Sequence, residues 1–182
     1  MTTIIGLQHD NGCILVADSL VLDSSGRRYW HPDMKKLAER GNFVVGTSGD
    51  WQFCEVIQHK WNPPTPTARD KKDLLGFMID KVIPTLRQCL AENGYNFDKS
   101  PDEKDGERFH LLIAVAGHIF DVDEQLSVTI SHDGVYAVGS GGDIALGALH
   151  AGADAYQAMA ITAKLSAYTA GPFISKEQFK HN

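Results

Sequence analysis

The stretch that most constrains the fold lies at the start of the chain, where two apolar runs flank a tight-turn dipeptide. The runs cover residues 2–8 and 13–18, and Asn11-Gly12 stands between them. Asn-Gly is typical of a type I′ turn, in which both central residues need a positive φ, so the pattern predicts a β-hairpin. Such a hairpin brings Thr2 opposite the residues that follow Asp18.

The second of these runs is apolar on both faces. Residues 13–17 read CILVA and end abruptly at Asp18. A strand with one wet face alternates between apolar and polar residues, whereas a continuous apolar run indicates a strand that is covered on both sides. We therefore expect the first sheet to be an inner layer of the protein.

A second hairpin is predicted from residues 34–39 and 42–47. With a side-chain period of two, its first strand puts Lys36 on one face with Met34 and Ala38. A lysine with only small or apolar neighbours on its face is expected to be buried or to belong to a site.

Helices and further strands follow from spacing and from capping residues. Asp50 and Asp70 are expected helix caps, Pro84 should kink or split the second helix, and Gly171-Pro172 should stop the last one. The predicted helices cover residues 51–61, 71–93, 143–152 and 154–167. The predicted later strands cover residues 109–116, 118–122, 126–130 and 135–138, and the tail is polar. This order predicts an α+β sandwich with sheets stacked between helical layers.

Composition excludes several classes of function. The chain has 182 residues, which we interpret as one domain, and its net charge of −6 argues against binding to nucleic acid or to an anionic membrane. Cys13, Cys54 and Cys89 lack metal-ligand spacing and are expected to be buried thiols in a reducing compartment. No apolar run reaches the length of a membrane span and no signal peptide is recognisable, so a cytoplasmic location is expected.

Five short motifs stand out along the chain: TTIIG at 2–6, ILVADS at 14–19, MKKL at 34–37, GTSGD at 46–50 and AVGSGG at 137–142. In their order and spacing these motifs resemble the N-terminal-nucleophile hydrolases, and within them the proteasome β-subunit and the HslV-type peptidase. The resemblance covers about residues 2–170. The end of the chain, YTAGPF at residues 168–173, is similar to proteasome-like proteins of bacteriophages.

The resemblance implies a four-layer αββα fold and a catalytic role for three residues. Thr2 would be the nucleophile once Met1 is removed. Asp18 would hold Lys36, and Lys36 would lower the pKa of the threonine hydroxyl by its positive charge. The α-amino group of the same threonine would act as the base.

The same resemblance implies roles for two more residues. Ser140 would help to relay the proton at the amine, and the backbone N–H of Gly49, in a turn over residues 46–49, would stabilise the oxyanion. No metal or organic cofactor is implied. The implied partners are a peptide or unfolded-protein substrate, further copies in a ring or other symmetric homo-oligomer, and an ATP-dependent unfoldase.

The sequence departs from the family near the end of its last helix. The family places an acid and a hydroxyl there to support the amine, and this chain has Lys164 and Ala167 at those places, with Ser166 close by. The given sequence also begins with Met1, which must be removed before Thr2 has a free amine.

Two other functions stay open at this point. The same fold could serve without catalysis, as an assembly or virion component in a host cytoplasm or a phage particle. Alternatively, residues 139–143 could cradle a phosphate at a helix N-terminus, although they lack the lysine of a P-loop. Among the histidines, His110 and His118 for example show no paired-ligand spacing, and structural roles are expected for them.

Overall fold

The computed structural model describes residues 1–23, 25–30, 35–97 and 109–180. The strands are β1 (Thr3–His9), β2 (Gly12–Ala17), β3 (Val21–Leu22), β4 (Arg28–Tyr29), β5 (Leu37–Arg40), β6 (Phe43–Gly49), β7 (Phe109–Val115), β8 (His118–Val122), β9 (Val128–Thr129), β10 (Val135–Gly139) and β11 (Ile174–Phe179). The α-helices are α1 (Trp51–His59), α2 (Leu74–Phe77), α3 (Ile83–Glu92), α4 (Gly142–His150) and α5 (Ala155–Leu165).

Two antiparallel sheets form the centre of the protein. The first has the strand order β10-β1-β2-β11, and the second has the order β5-β6-β7-β8-β9. The short strands β3 and β4 form a separate hairpin. In the first sheet β1 lies between β2 and β10, so the start of the chain is a central strand rather than a free edge.

Three apolar clusters stack the elements into four layers. Between the two sheets, Ile4 and Leu15 pack with Leu112 of β7. The outer face of the first sheet buries Val16 against Met159 of α5, and the outer face of the second sheet packs against α1, α2 and α3. The fold is therefore an αββα sandwich, and the predicted inner position of residues 13–17 is confirmed because β2 is covered on both faces.

The first hairpin forms, but its predicted turn type is wrong. His9 pairs with Gly12, so Asp10 and Asn11 are the central residues of the turn. Ala116 and Leu126 are the residues other than glycine with a positive φ in the described ranges, which excludes a type I′ turn here. Gly12 is needed for space, because a Cβ there would lie 2.0 Å from the carbonyl oxygen of Gln178 in β11.

The predicted helix over residues 71–93 is divided. Asp73 rather than Asp70 caps α2, by accepting a hydrogen bond from the Gly76 N–H. A π-helical turn, Met78–Val82, then leads into α3. Pro84 closely follows this π-helical turn, so the regular α-helical hydrogen bonding is interrupted next to the proline, where a kink or split is expected.

The end of the chain differs most from the sequence prediction. Helix α5 ends at Leu165, well before Gly171-Pro172, and the polar tail forms β11, which pairs with β2. Strand β9 is only two residues long, since Leu126 adopts a φ of 66° and cannot extend it. No helix in the described part of the chain has the length and apolar character needed to cross a membrane.

A histidine–aspartate pair in the second sheet gives a stability prediction. Nε2 of His110 bonds Oδ1 of Asp121, and this bond raises the pKa of His110 above its usual 6.5. The stabilisation is therefore complete below pH 6.5 and is lost as the pH rises through the higher folded-state pKa. Because the His110 side chain is 42% exposed, we expect Asp121→Asn to lower the free energy of unfolding by only about 0.5–1 kcal/mol at pH 6.

Urea titrations of wild type and variant at pH 6 and pH 9 measure this difference. It should shrink at pH 9, where the imidazole is neutral. Asp143→Asn, at an exposed acid of α4, is the control and should behave alike at the two pH values. A loss of unfolding free energy on Asp121→Asn that is larger at pH 9 than at pH 6 would contradict a stabilising bond between Asp121 and protonated His110.

Candidate active site

Thr2 lies directly before β1, and only 4% of its surface is exposed. Its backbone N–H donates to Oγ of Ser140 at 3.2 Å, and that hydroxyl donates to the Thr2 carbonyl at 3.2 Å. Gly139 makes this approach possible, because a Cβ there would lie 2.2 Å from the Thr2 carbonyl oxygen and its φ is 88°. The structure thus brings Thr2 and Ser140 together, although residue 140 is far away in the sequence.

Asp18 follows β2 directly and is fully buried. Its Oδ1 accepts from the backbone N–H of Thr3 at 2.8 Å and from Lys36 Nζ at 2.7 Å. Its Oδ2 accepts from the N–H groups of Leu20 at 3.2 Å and Ala170 at 3.4 Å. These four donors satisfy a buried carboxylate that would otherwise be costly to remove from water.

Lys36 is 1% exposed and points into the site. Its Nζ donates to Asp18 Oδ1 at 2.7 Å, to the Leu20 carbonyl at 2.7 Å and to the Met1 carbonyl at 3.0 Å. An ammonium group has three N–H donors, so all three are used. Burial lowers the pKa of Lys36 below its usual 10.5, while the carboxylate of Asp18 opposes this shift.

Lys36 is buried, as the sequence predicts, but the predicted strand face does not account for its burial. Lys36 lies just before β5, so it does not share a strand face with Ala38, and Met34 lies outside the described residues. The residue is instead fixed by its backbone, since the N–H of Thr47 in β6 donates to the Lys36 carbonyl at 2.9 Å.

The surroundings of the Met1 α-amino group lower its pKa. Burial lowers the pKa of the Met1 α-amino group below 8.0, Lys36 lowers it further, and Asp18 opposes both. Burial also raises the pKa of Cys54 nearby to about 11, so its thiol stays protonated at neutral pH and is a poor nucleophile.

Gly49 is the last residue of β6 rather than part of a turn, as residues 46–49 continue the strand. It pairs with Phe109, is exposed, and has a φ of 116°. The preceding residue, Ser48, has its Oγ 2.9 Å from the point where a Cβ of Gly139 would lie, beside the Thr2 carbonyl. The end of β6 therefore borders the site, and the role of Gly49 as an oxyanion donor stays a prediction.

The residues at the family's acid and hydroxyl places lie on the surface. Lys164 and Ala167 are exposed, and the hydroxyl of Ser166 accepts from the N–H of Tyr168. The contact that supports β1 comes instead from Thr169, which shares a 2.6 Å hydrogen bond with Thr3. Sequence reasoning missed this pair, because no local pattern links two threonines 166 positions apart.

The glycine-rich run over residues 139–143 has a packing reason. A Cβ on Gly141 would lie 2.2 Å from Thr3 Oγ1, and the close approach at Gly139 is described above. The run lets the start of β1 lie against the first turn of α4, and it shows no feature particular to a phosphate site. Within the described ranges, no three His, Cys, Asp or Glu side chains lie close enough together to bind a metal ion.

Comparison with solved structures shows that this fold is shared with the proteins BPH and HslV. The protein BPH of Thiobacillus denitrificans, solved in complex with epoxomicin, has a TM-score of 0.73 and 20% sequence identity over 99% of this chain and 100% of that one. A second structure of BPH gives a TM-score of 0.72 and 20% identity over 98% of each chain.

A eukaryotic HslV is similar as well. The protein from Trypanosoma brucei has a TM-score of 0.60 and 20% identity over 96% of this chain and 98% of that one. No protein-family model matches the sequence, and no curated protein matches it either. At this identity the likeness concerns the fold, and the likeness of residues 168–173 to bacteriophage proteins stays a prediction.

Proposed function

We propose that the protein is a threonine peptidase whose nucleophile is the hydroxyl of Thr2 after removal of Met1. The observation that carries the proposal is the ammonium group of Lys36, buried beside the start of the chain. One of its three acceptors is the Met1 carbonyl, which belongs to the peptide bond that joins Met1 to Thr2. Processing of that bond would free one N–H of Lys36 at the place where Thr2 becomes the first residue.

The remaining acceptors keep the ammonium in place after processing. Asp18 and the Leu20 carbonyl each hold Lys36 Nζ at 2.7 Å, and neither depends on Met1. The positive charge then lowers the pKa of the Thr2 hydroxyl in a site with little water. The nitrogen of Thr2, which already contacts Ser140 Oγ, becomes a free α-amine that can accept the hydroxyl proton.

The reaction is acyl transfer in two stages. The α-amine of Thr2 takes the hydroxyl proton while Oγ1 attacks the carbonyl carbon of a peptide bond, and the ammonium so formed gives that proton to the leaving amine. Water then attacks the acyl ester and loses a proton to the same amine. The amine passes this proton to Oγ1 as the bond between Oγ1 and the acyl carbon breaks, which releases the acid and restores the Thr2 hydroxyl. The N–H of Gly49 is proposed to stabilise the oxyanion, a contribution worth about 3 kcal/mol of barrier in typical cases.

The proposed partners follow from the same class of protein. The substrate is a peptide or an unfolded protein, and the chain assembles with copies of itself into a closed ring. An ATP-dependent unfoldase is proposed to deliver folded substrates. Epoxomicin, which the BPH structure contains, is the proposed probe for the site.

The proposed roles predict a bell-shaped dependence of rate on pH. The α-amine of Thr2 must be neutral to act as base, so the rate should rise with pH as this amine loses its proton. Lys36 must stay charged, and burial lowers its pKa below 10.5, so the rate should fall again before pH 10.5. Peptide hydrolysis between pH 5 and pH 11 measures both limbs. A rate that is constant across this range would contradict the roles of the two amines.

The direct test compares two forms of the same chain. One form begins at Thr2 after cleavage of a removable tag, and the other retains Met1. With a fluorogenic peptide library, only the Thr2 form should hydrolyse peptides, with a burst of about one product per active chain. Equal activity in both forms would rule out an N-terminal nucleophile. A Thr2 form that folds normally but hydrolyses no peptide would instead favour the alternative function, a non-catalytic assembly or virion component.

A further inference from the structure

A short connection between α5 and β11 contacts Thr3 and Asp18 at the site. We refer to residues 166–171 as the strap. The N–H of Ala170 in this strap donates to Asp18 Oδ2 at 3.4 Å, and the Ala170 carbonyl accepts from the N–H of Ser19 at 3.2 Å. Thr169 shares its hydroxyl hydrogen bond of 2.6 Å with Thr3. The strap therefore contacts the residues on either side of the reaction centre, Thr3 in β1 and Asp18 after β2.

The hydroxyl groups of Thr3 and Thr169 occupy a space that is open because Gly141 has no side chain. Both residues are buried, and a Cβ at Gly141 would lie 2.2 Å from the one hydroxyl oxygen and 2.7 Å from the other. Thr162 of α5 closes the same space with its methyl group. Because a buried hydroxyl without a partner is costly, each threonine fixes the orientation of the other.

The outer side of the strap is held by the hairpin of β3 and β4. Arg28 donates from Nη2 to the carbonyl of Ala167 at 3.2 Å, and Trp30 donates from Nε1 to the carbonyl of Gly171 at 2.8 Å. These two bonds fix the strap near its two ends. The inner contacts of Thr169 and Ala170 lie between them, so the strap is bonded on both its outer and its inner side.

The carboxylate of Asp18 connects the strap to the reacting groups. Its Oδ2 accepts from Ala170, and its Oδ1 accepts both from Thr3 and from Lys36 Nζ. A displacement of the strap would therefore turn the carboxylate and move the ammonium. Displacement of Thr3 would also move Thr2, which directly precedes it in the chain.

We propose that Thr169 is a positioning residue for the reaction, acting through Thr3 and Asp18 on Thr2 and Lys36. This inference rests on the proposed function, because it assumes that Thr2 reacts. It assigns to the strap the support that the family's acid and hydroxyl give at the places now held by Lys164 and Ala167, with the difference that the strap acts on β1 and the carboxylate rather than on the amine.

The test measures how fast epoxomicin modifies Thr2 in the form of the chain that begins at Thr2. Thr169→Val keeps the shape of the side chain but removes its hydroxyl, and it should slow modification about tenfold, since small misplacements of reacting groups are costly. Thr169→Ser keeps the hydroxyl and should stay within about twofold of wild type. Thr129→Val, at an exposed threonine of β9, is the matched control and should change nothing.

A second readout separates positioning from general loosening. In peptide hydrolysis, Thr169→Val should lower kcat while KM stays unchanged. The fall of the hydrolysis rate at high pH should also occur at a different pH, because Asp18 shifts relative to Lys36. Where Thr169→Val does not fold, Trp30→Phe takes its place. It removes only the outer bond to Gly171 and should slow modification about threefold.

Each outcome of these experiments either supports or overturns the positioning role of Thr169. Wild-type reactivity in Thr169→Val, or equal slowing in the serine and valine variants, would overturn the positioning role and leave the proposed function intact. An unchanged rate in Trp30→Phe would overturn it where that variant is used. No modification of the wild-type chain would remove the proposed function and this inference together.

Discussion

Replacing Thr2 by Ala is expected to reduce peptide hydrolysis by about 10⁴-fold or more, because the nucleophile itself is removed. Thr2→Ser keeps a hydroxyl and an α-amine at the same place and should retain activity within about tenfold of wild type. Both variants should fold normally, since residue 2 contributes little apolar packing at the start of β1. Single-turnover kinetics on the processed chains measure the effect, with circular dichroism as the check on folding.

The comparison between the two substitutions is the informative part of this experiment. Loss of activity in Thr2→Ala together with retention in Thr2→Ser would identify the hydroxyl as the reacting group. Equal activity in Thr2→Ala and wild type would place the chemistry elsewhere and contradict the assignment of Thr2.

Replacing Lys36 by Met is expected to affect both stability and rate. The variant leaves the carboxylate of Asp18 buried without its cation, and breaking such a pair typically costs about 3–5 kcal/mol of unfolding free energy. We expect the lower end of that range, because three N–H groups still bond the carboxylate. The rate of Thr2 modification should fall about 10³-fold, since the charge that acidifies the hydroxyl is lost.

A double variant and a control separate these two effects. Asp18→Asn combined with Lys36→Met removes the unpaired charge and should recover about 1–2 kcal/mol, while activity stays lost. Lys164→Met, at an exposed lysine of α5, should change stability by less than about 0.5 kcal/mol and leave activity unchanged. A stable and active Lys36→Met variant would contradict the role of the ammonium. Recovery of activity in the double variant would also contradict it.

Strong local patterns in the sequence predicted the framework of the site. The unbroken apolar run of residues 13–17 predicted a doubly covered strand, and β2 is one because both of its faces are packed. The abrupt end of that run at Asp18 marked the carboxylate that lies beside Thr3. Such features are readable because each depends on the periodicity of a single element.

Features that depend on contacts between distant residues were missed. The segment ISKEQF, residues 174–179, has no alternating pattern, yet it forms β11 because β2 offers it an unpaired edge. Gly12 is needed because β11 passes close to its backbone. Its place after Asn11 instead suggested a type I′ turn, which the backbone does not adopt. The bond between Thr3 and Thr169 likewise exists only after α5 has packed on the first sheet.

The proposed reaction requires residue 2 to be the reacting group, and fragment mass spectrometry of the epoxomicin-treated chain tests this most directly. For the form that begins at Thr2, we expect a mass increase of one epoxomicin per chain, located by fragmentation on Thr2 and absent from Thr2→Ala and from the form that retains Met1. An adduct on another residue, or an unmodified Thr2 in a folded and processed chain, would contradict it.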